Sequence, residues 1–359
     1  MKFLMAFFIA FAGWSASPAP WRPDDGGPFS AFRSNAPHFW SWLATQSSDL
    51  FAYRGAVVGD PHILNFGDVQ LAIGGRVFAL IDLDDVGNRG PFVGDFIRYA
   101  AGNQVSPYNV SVKELYAAYV YGLQGNEIPV PPVVAVALAR GDEEFQKRQD
   151  KYLERMTEKN RFSEKAKLEP MTVAPMDVLG VYNAVADDLA GELRGYRVLD
   201  MGYKVKESGG SQGLVRFWYL VQAGRDRQII EFKMEDQPAT EFYASQGSIQ
   251  ERFASVTSFF RPSAVYGPYK IVTAGGYSFL MRARLAPFLD FDPSKGLALA
   301  DIHAGREVSK YIANLLGRMH GKQSAAQGLA GQLNQSARLV EVQGLVQSYV
   351  DVMAQESAR

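Results

Sequence analysis

The segment Gly59-Asp60-Pro61-His62-Ile63-Leu64-Asn65 puts an acid, an imidazole and an amide into one short loop. Phosphoryl transfer asks for such a set: an acid facing the attacking hydroxyl, an amide after four intervening residues to ligate a metal, and a second acid on a nearby loop that bridges metal and phosphates. Ile81-Asp82-Leu83-Asp84-Asp85 supplies the second acid. Asp60 is therefore the candidate catalytic base. His62 is its companion, bracing the loop by hydrogen bonding rather than ligating metal, and Asn65, Asp82 and Asp84 are the candidate Mg²⁺ ligands. Of Asp84 and Asp85, only one is expected to point into the site.

These residues need elements to hold them. Residues 66–73 and 76–82 read as strands joined at Gly74-Gly75, a two-residue hairpin turn. With Ile73 opposite Arg76, Gly67 would face Asp82 and Asn65 would face Asp84, bringing the amide to the acids. Around residue 200 the pattern turns from helical to alternating. Strands are expected over 203–205, 214–222 and 228–234, then over 269–273 and 277–285, with one helix over 249–260 between the two sets. The glycine-rich Gly209-Gly210-Ser211-Gln212-Gly213 lies between the first two strands, where glycines let main-chain N–H groups approach phosphate closely. Lys233 follows in the apolar run Ile229-Ile230-Glu231-Phe232-Lys233, completing a candidate ATP-binding set. Glu251, on the following helix, is the first candidate to orient Lys233, and Glu241 the second. Arg54, Arg98 and Arg282 could pair with the acids or with phosphate.

Apolar stripes at helical spacing (Val112, Leu115, Tyr116, Tyr119; Val308, Ile312, Leu315, Leu316, Met319; Leu339, Val342, Val346, Val350) predict helices before and after the sheet. His303 and His320 fall there as packing residues. The stretch 140–167 is highly charged and reads as a solvated helix. The expected class is α+β, divided into a leader (1–17), a linker rich in Pro, Gly and Asp (18–30), a helical lobe with the catalytic loop (31–200), an antiparallel nucleotide-binding sheet (201–285) and C-terminal helices packing back on the helical lobe (286–359).

Composition narrows the chemistry. Lys+Arg at 37 against Asp+Glu at 38 leaves a formal charge of −1, so no bulk basic field exists for nucleic acid. The chain has no cysteine and four histidines, which excludes disulfides and thiolate nucleophiles and steers any metal site toward oxygen donors. Lys2, the apolar run over 3–13 and the small residues at 15–17 read as a signal peptide, hence a periplasmic protein, or a cytoplasmic one if that reading fails. No other segment is long and apolar enough to span a membrane.

Phe51-Ala52-Tyr53-Arg54-Gly55, the Gly59-Asp60-x-His62-x-x-Asn65-Phe66-Gly67 block, the Asp82-x-Asp84-Asp85 run and Gly90-Pro91 with Asp95 and Arg98 together resemble an uncharacterised bacterial family, domain of unknown function 2252. The glycine-rich segment and Lys233 resemble it too, so the resemblance covers most of the chain beyond the leader. The catalytic block is also similar to aminoglycoside phosphotransferases and choline kinases, whose loops read His-Gly-Asp-x-His-x-x-Asn and then Ile-Asp. That resemblance implies a two-lobed protein-kinase-like fold, Asp60 as base, Asn65 and Asp82 as metal ligands, and Asp95 as a buried organiser of the loop. Val58 stands where those kinases have their leading His, Asp84 where the bacterial family usually has Asn, and the loop over 86–89 is shorter. The order also differs, since the catalytic loop precedes the sheet, as a circular permutation would leave it.

The expected activity is phosphoryl transfer from Mg-ATP to a hydroxyl of a small molecule or protein. Export conflicts with an ATP supply. Two other readings therefore stand beside it: an exported kinase-like binding module without turnover, and a metal-dependent phosphoesterase built around His62.

Overall fold

The computed structural model describes residues 19–206, 212–262, 264–292 and 299–358. The expected signal peptide lies outside the described residues. Proline and small polar residues set the first helix starts. Pro28 opens α1 (Pro28–Ser34), and Asn35 with Pro37 opens α2 (Ala36–Ala44). The stretch read as a linker is bound down instead: the Ala19 N–H donates to Ser41 Oγ, Arg22 and Asn35 exchange hydrogen bonds, and Ser34 Oγ donates to Asp24. Its turn residues serve an arm that needs specific backbone angles, and their composition matches that of a free linker.

Strand β1 (Arg54–Val57) pairs with β4 (Gly87–Pro91), and between them lie the hairpin strands β2 (Phe66–Gln70) and β3 (Arg76–Leu80). The hairpin is shorter than its apolar runs, and its register differs from the expected one. Gln70 faces Arg76 and Phe66 faces Leu80, with the Leu71 N–H donating to the Gly75 carbonyl across a longer loop. Asn65 consequently stands opposite Ile81, whose N–H it accepts at 2.8 Å, and not opposite Asp84. Gly74 and Gly75 both take positive φ, but they end a wider turn than the dipeptide suggests.

Helices α3 (Phe92–Gln104), α4 (Val112–Leu123), α5 (Pro132–Leu138) and α6 (Asp142–Met156) follow, α4 capped by Ser111, whose hydroxyl accepts the Glu114 N–H. The charged α6 is mostly exposed and buries Phe145, Gln149 and Tyr152 on one side. After the short ribbon β5 (Thr157–Glu158) and β6 (Arg161–Phe162) comes α7 (Met176–Glu192), then β7 (Arg197–Val205), β8 (Val215–Ala223) and β9 (Asp226–Glu235). Helix α8 (Ile249–Phe260) precedes β10 (Tyr269–Ala274) and β11 (Tyr277–Ala283). The chain closes with α9 (Leu299–Gly321), α10 (Leu329–Leu333) and α11 (Ser336–Ser357). Among the described residues no helix is long and apolar enough to cross a membrane.

The five antiparallel strands run in the order β10-β11-β9-β8-β7. Alternation gives this sheet two unlike faces. Phe217, Tyr219, Ile230, Phe232, Phe279 and Met281 pack with Val178, Val185 and Leu189 of α7 in one core. On the other face, Lys204, Arg216 and Lys233 face one another across β7, β8 and β9, and Trp218, Glu231 and Arg282 form the next row. The larger core joins α3, α9 and α11 through residues such as Phe96, Ile97, Ile312, Leu316, Val346 and Tyr349. The molecule is thus a mixed α+β protein.

Candidate functional site

The loop after β1 is positioned by one carboxylate. Asp95, in the first turn of α3 and fully buried, accepts the N–H groups of Val58 (2.6 Å) and Gly59 (2.9 Å). Its Oδ2 also lies 3.2 Å from His320 Nε2, and His320 Nδ1 lies 2.9 Å from the Tyr119 hydroxyl. Trp40 Nε1 donates to the Gly59 carbonyl at 2.5 Å. Gly59 has φ +82°, and a Cβ there would run into the Asp85 carbonyl, so only glycine lets this loop touch the acidic one.

Asp60 follows, its Oδ1 accepting both Nε (3.0 Å) and Nη2 (2.8 Å) of Arg98. Arg98 is itself wholly buried, stacked 3.6 Å over the Phe32 ring and donating to the Phe32 carbonyl. His62 Nε2 stands 3.4 Å from Asp60 Oδ2. Burial opposes the Asp60 charge, but Arg98 and His62 outweigh it and hold the carboxyl down to about 2. Burial pushes the His62 imidazole below its ordinary value against the pull of Asp60. Asn65 Nδ2 donates to the Asp60 main-chain carbonyl at 2.8 Å, which leaves its Oδ1 as the atom for other partners.

Lys233, from the interior of β9 and 1% exposed, reaches the loop after β3 and bridges two acids. Its Nζ lies 3.0 Å from Asp82 Oδ1 and also bonds Asp84 Oδ1. Burial would raise Asp82, yet Lys233 draws it well below the carboxylate range. Asp84 is pushed up to about 6 by burial and by Asp82, and Asp85 to about 7 by burial together with Asp60 and Asp84. Lys233 stays charged far above lysine's ordinary value, since its two acids overcome its burial. One ammonium thus answers two carboxyls that share less than two full charges.

A cleft of about 170 Å³ is lined by Asp60, His62, Asn65, Asp82, Asp84 and Asp85 together with Arg33, Lys206 and Arg216. A second, larger cleft of about 300 Å³ meets it at Asp82; its walls include Val69, Phe145, Val265 and Tyr269, the segment 283–287, and Arg261 and Arg282. Beneath both, Glu231 accepts from Arg282 Nε (2.7 Å) and Trp218 Nε1 (2.8 Å), with Arg216 at 3.8 Å and Arg284 at 3.6 Å. Burial disfavours the Glu231 charge, and the three arginines more than offset that. Glu235, two residues past Lys233, is pushed well above the carboxylate range by burial and by Asp84.

The structure brings Asp60, His62, Asn65, Asp82, Asp84 and Lys233 together. Glu251 is elsewhere: it is exposed and closes a capping box, its carboxylate accepting the Ser248 N–H while the Ser248 hydroxyl accepts its own. At the third residue of a helix that role competes with reaching Lys233, and Asp82 with Asp84 takes the ammonium instead. Glu241 accepts the Gln246 N–H. Gly209, Gly210 and Ser211 lie outside the described residues. Gln212 and Gly213 form an exposed turn, closed by the Gly213 N–H on the Lys206 carbonyl at 2.8 Å. Arg54 donates to the Phe51 carbonyl and the Tyr243 hydroxyl, away from the acids. His303 is exposed rather than packed, and His320 is the buried partner of Asp95. Sequence reasoning passed over Arg33, Lys206 and Arg216. The alternation of Lys204, Lys206, Arg216, Glu231, Lys233, Arg282 and Arg284 along four strands was the available signal, because a period of two puts them on one face. Among the described residues no group of three or more His, Asp or Glu side chains converges as a cation cage.

Compared with known proteins, residues 26–120 match the family model described as "Uncharacterized protein conserved in bacteria (DUF2252)". The matched stretch contains Asp60, His62, Asn65, Asp82, Asp84, Asp95 and Arg98 and stops short of the sheet with Lys233, so the likeness covers less of the chain than its motifs suggest. No curated protein and no solved structure matches.

Proposed function

We propose that the protein is a phosphotransferase that moves a phosphoryl group from Mg-ATP to a hydroxyl, on a kinase-like two-lobed arrangement in which the loop of Asp60 precedes the nucleotide-binding sheet. The observation that carries this reading is the bridge from Lys233 of the sheet to Asp82 and Asp84, at the junction of a polar cleft holding Asp60 and a more apolar one. The larger cleft suits a nucleoside, with aromatic and aliphatic walls, and the smaller suits its phosphates and the acceptor.

The donor set fits magnesium in kind: Asp82, Asp84 and Asn65 Oδ1 are hard oxygen donors, and one or two carboxylates are enough where phosphates supply the remaining ligands. Bound there with nucleotide, the ion would neutralise charge on the phosphates. The chain's own residues do the rest. Lys233 exchanges part of its hold on Asp82 and Asp84 for phosphate oxygens and stabilises the charge of the transferred group. Asp60, held at about 2, is a weak base and serves to orient the acceptor hydroxyl and take its proton late, which a loose transfer requires and no more. Arg98 and Asp95 keep that carboxylate aimed.

The test is thermal unfolding of the full chain with Mg²⁺ alone and with Mg-ATP, followed by transfer of labelled γ-phosphate to a panel of hydroxyl compounds. Nucleotide at a hundred times its Kd should stabilise the fold by about 2.7 kcal/mol, a shift of a few degrees. Absence of any shift at saturating nucleotide overturns the reading; a shift without transfer to any acceptor turns it into a binding module.

A further inference from the structure

The acids of the smaller cleft are met by other groups: Arg98 answers Asp60, Lys233 answers the Asp82 and Asp84 pair, and Asp85, raised to about 7, accepts the Ala239 N–H. Two cations lining the same cleft stand outside that balance. Arg33 comes from the last turn of α1, and Lys206 lies just past the end of β7. Arg33 is near enough to His62 and to Lys206 for its charge to lower both, and its Nε is buried without a hydrogen-bond partner. Asp24, the carboxylate that feels Arg33, is itself bonded to the Ser34 hydroxyl and the Gly26 N–H. Burial, then Arg216, Arg33 and Lys233, press Lys206 below lysine's ordinary value and outweigh the pull of Asp82. Like charges crowded into a half-buried cleft oppose folding until an anion joins them.

We propose that Arg33 and Lys206 form an anion subsite, and that the hydroxyl-bearing molecule taken at Asp60 carries a phosphate-type group which they hold. The assignment rests on the reading of Asp60 as the residue that meets the acceptor. It belongs to the acceptor rather than the nucleotide because Arg33 sits beside His62, the neighbour of Asp60, whereas the donor's phosphates would be met by Lys233 and by a metal ion that Asp82 would hold. A guanidinium fork with a mobile ammonium suits a tetrahedral oxyanion: the fork grips two oxygens and the ammonium a third.

Inorganic phosphate is the probe, titrated calorimetrically into the full chain with and without saturating Mg-ATP. The expected result is binding that persists with nucleotide present and weakens at least tenfold in Arg33→Gln and in Lys206→Gln. Each substitution removes one of two like charges from a half-exposed pair, so the unliganded variants should unfold at or above the wild-type temperature, and a loss of binding is then not a loss of fold. The proposal is overturned if wild type does not bind phosphate, if the double variant binds it as wild type does, or if nucleotide displaces it, which would make it a mimic of the donor. The nucleotide arm is read separately: no response to Mg-ATP would withdraw the phosphotransfer reading while the phosphate arm still reports on Arg33 and Lys206.

Discussion

Lys233 shows how a single side chain can tie a sheet to a loop far away in sequence. It is buried in the sheet, yet both of its partners come from a loop more than a hundred residues earlier in the chain. Replacing it with Ala leaves Asp82 and Asp84 facing each other without the ammonium that bonds both, and with only the more distant charge of Arg282 acting on Asp82. One-sided loss of a buried ion pair costs about 3–5 kcal/mol, and the 36% exposure of the Asp82 side chain puts the expected loss near the lower end. Lys233→Ala combined with Asp84→Asn should recover part of that loss, and urea unfolding of the single and double variants reads it directly. Equal stability of the two would mean that the repulsion is not what Lys233 relieves. Asp60→Asn has a different signature. It strips Arg98 of its counter-charge, so the fold should lose roughly 3 kcal/mol, while the nucleotide-induced shift is kept and phosphoryl transfer falls at least about a hundredfold.

The loop from Val58 to Asn65 has no regular structure beyond one short turn, and it is nonetheless fixed by what it touches. Asp95 supplies two acceptors for its N–H groups, Trp40 a donor for its carbonyl, and Gly59 the close passage against Asp85. Gly59→Ala must both occupy a left-handed conformation and displace the acidic loop, an expected cost of roughly 2–4 kcal/mol. Calorimetric unfolding measures it, and a cost under 1 kcal/mol would show that the two loops separate easily. Asp95→Asn keeps one acceptor and turns a donor toward the two N–H groups. Faster hydrogen exchange at Val58 and Gly59, with protection unchanged in β8 and β9, is the expected outcome. Uniform loss of protection would instead place Asp95 in the global fold rather than in the loop.

Across the molecule, the two kinds of perturbed acid pull pH dependence in opposite directions. Asp60 has a depressed carboxyl, so its contribution is complete above the unfolded value of about 4 and is lost as pH falls toward about 2. Asp84 and Asp85 are raised to about 6 and about 7, so the native state holds protons that the unfolded chain has released. Their contribution is complete below about 4 and is lost as pH rises through 6 and 7. Stability should therefore decline between pH 4 and 7 on their account. Asp85→Asn, which keeps Oδ1 as the acceptor of the Ala239 N–H, should flatten that decline. A stability profile unchanged by the substitution would show that Asp85 ionises normally in the fold.

Local chemistry was legible wherever neighbouring residues alone decide it. The five strands and the helix over 249–260 follow from periodicity, because alternation and helical stripes are imposed by the pleat and by 3.6 residues per turn. Asp60, Asn65 and Asp82 were recognisable as a set because their spacing within one loop and hairpin nearly suffices to gather them. What periodicity could not supply was register and partnership. A hairpin's apolar runs continue into its turn, so Gly74-Gly75 marks the bend without fixing which residues face each other, and the packing of the surrounding chain chose Gln70 opposite Arg76. Glu251 was a reasonable partner for Lys233 by sequence distance, but a carboxylate at the third position of a helix satisfies its own N-terminus first. His320 and Arg33 carry no local pattern at all. Their roles beside Asp95 and in the cleft exist only because the fold brings distant segments together, and charges that have left water take whatever partners that fold provides.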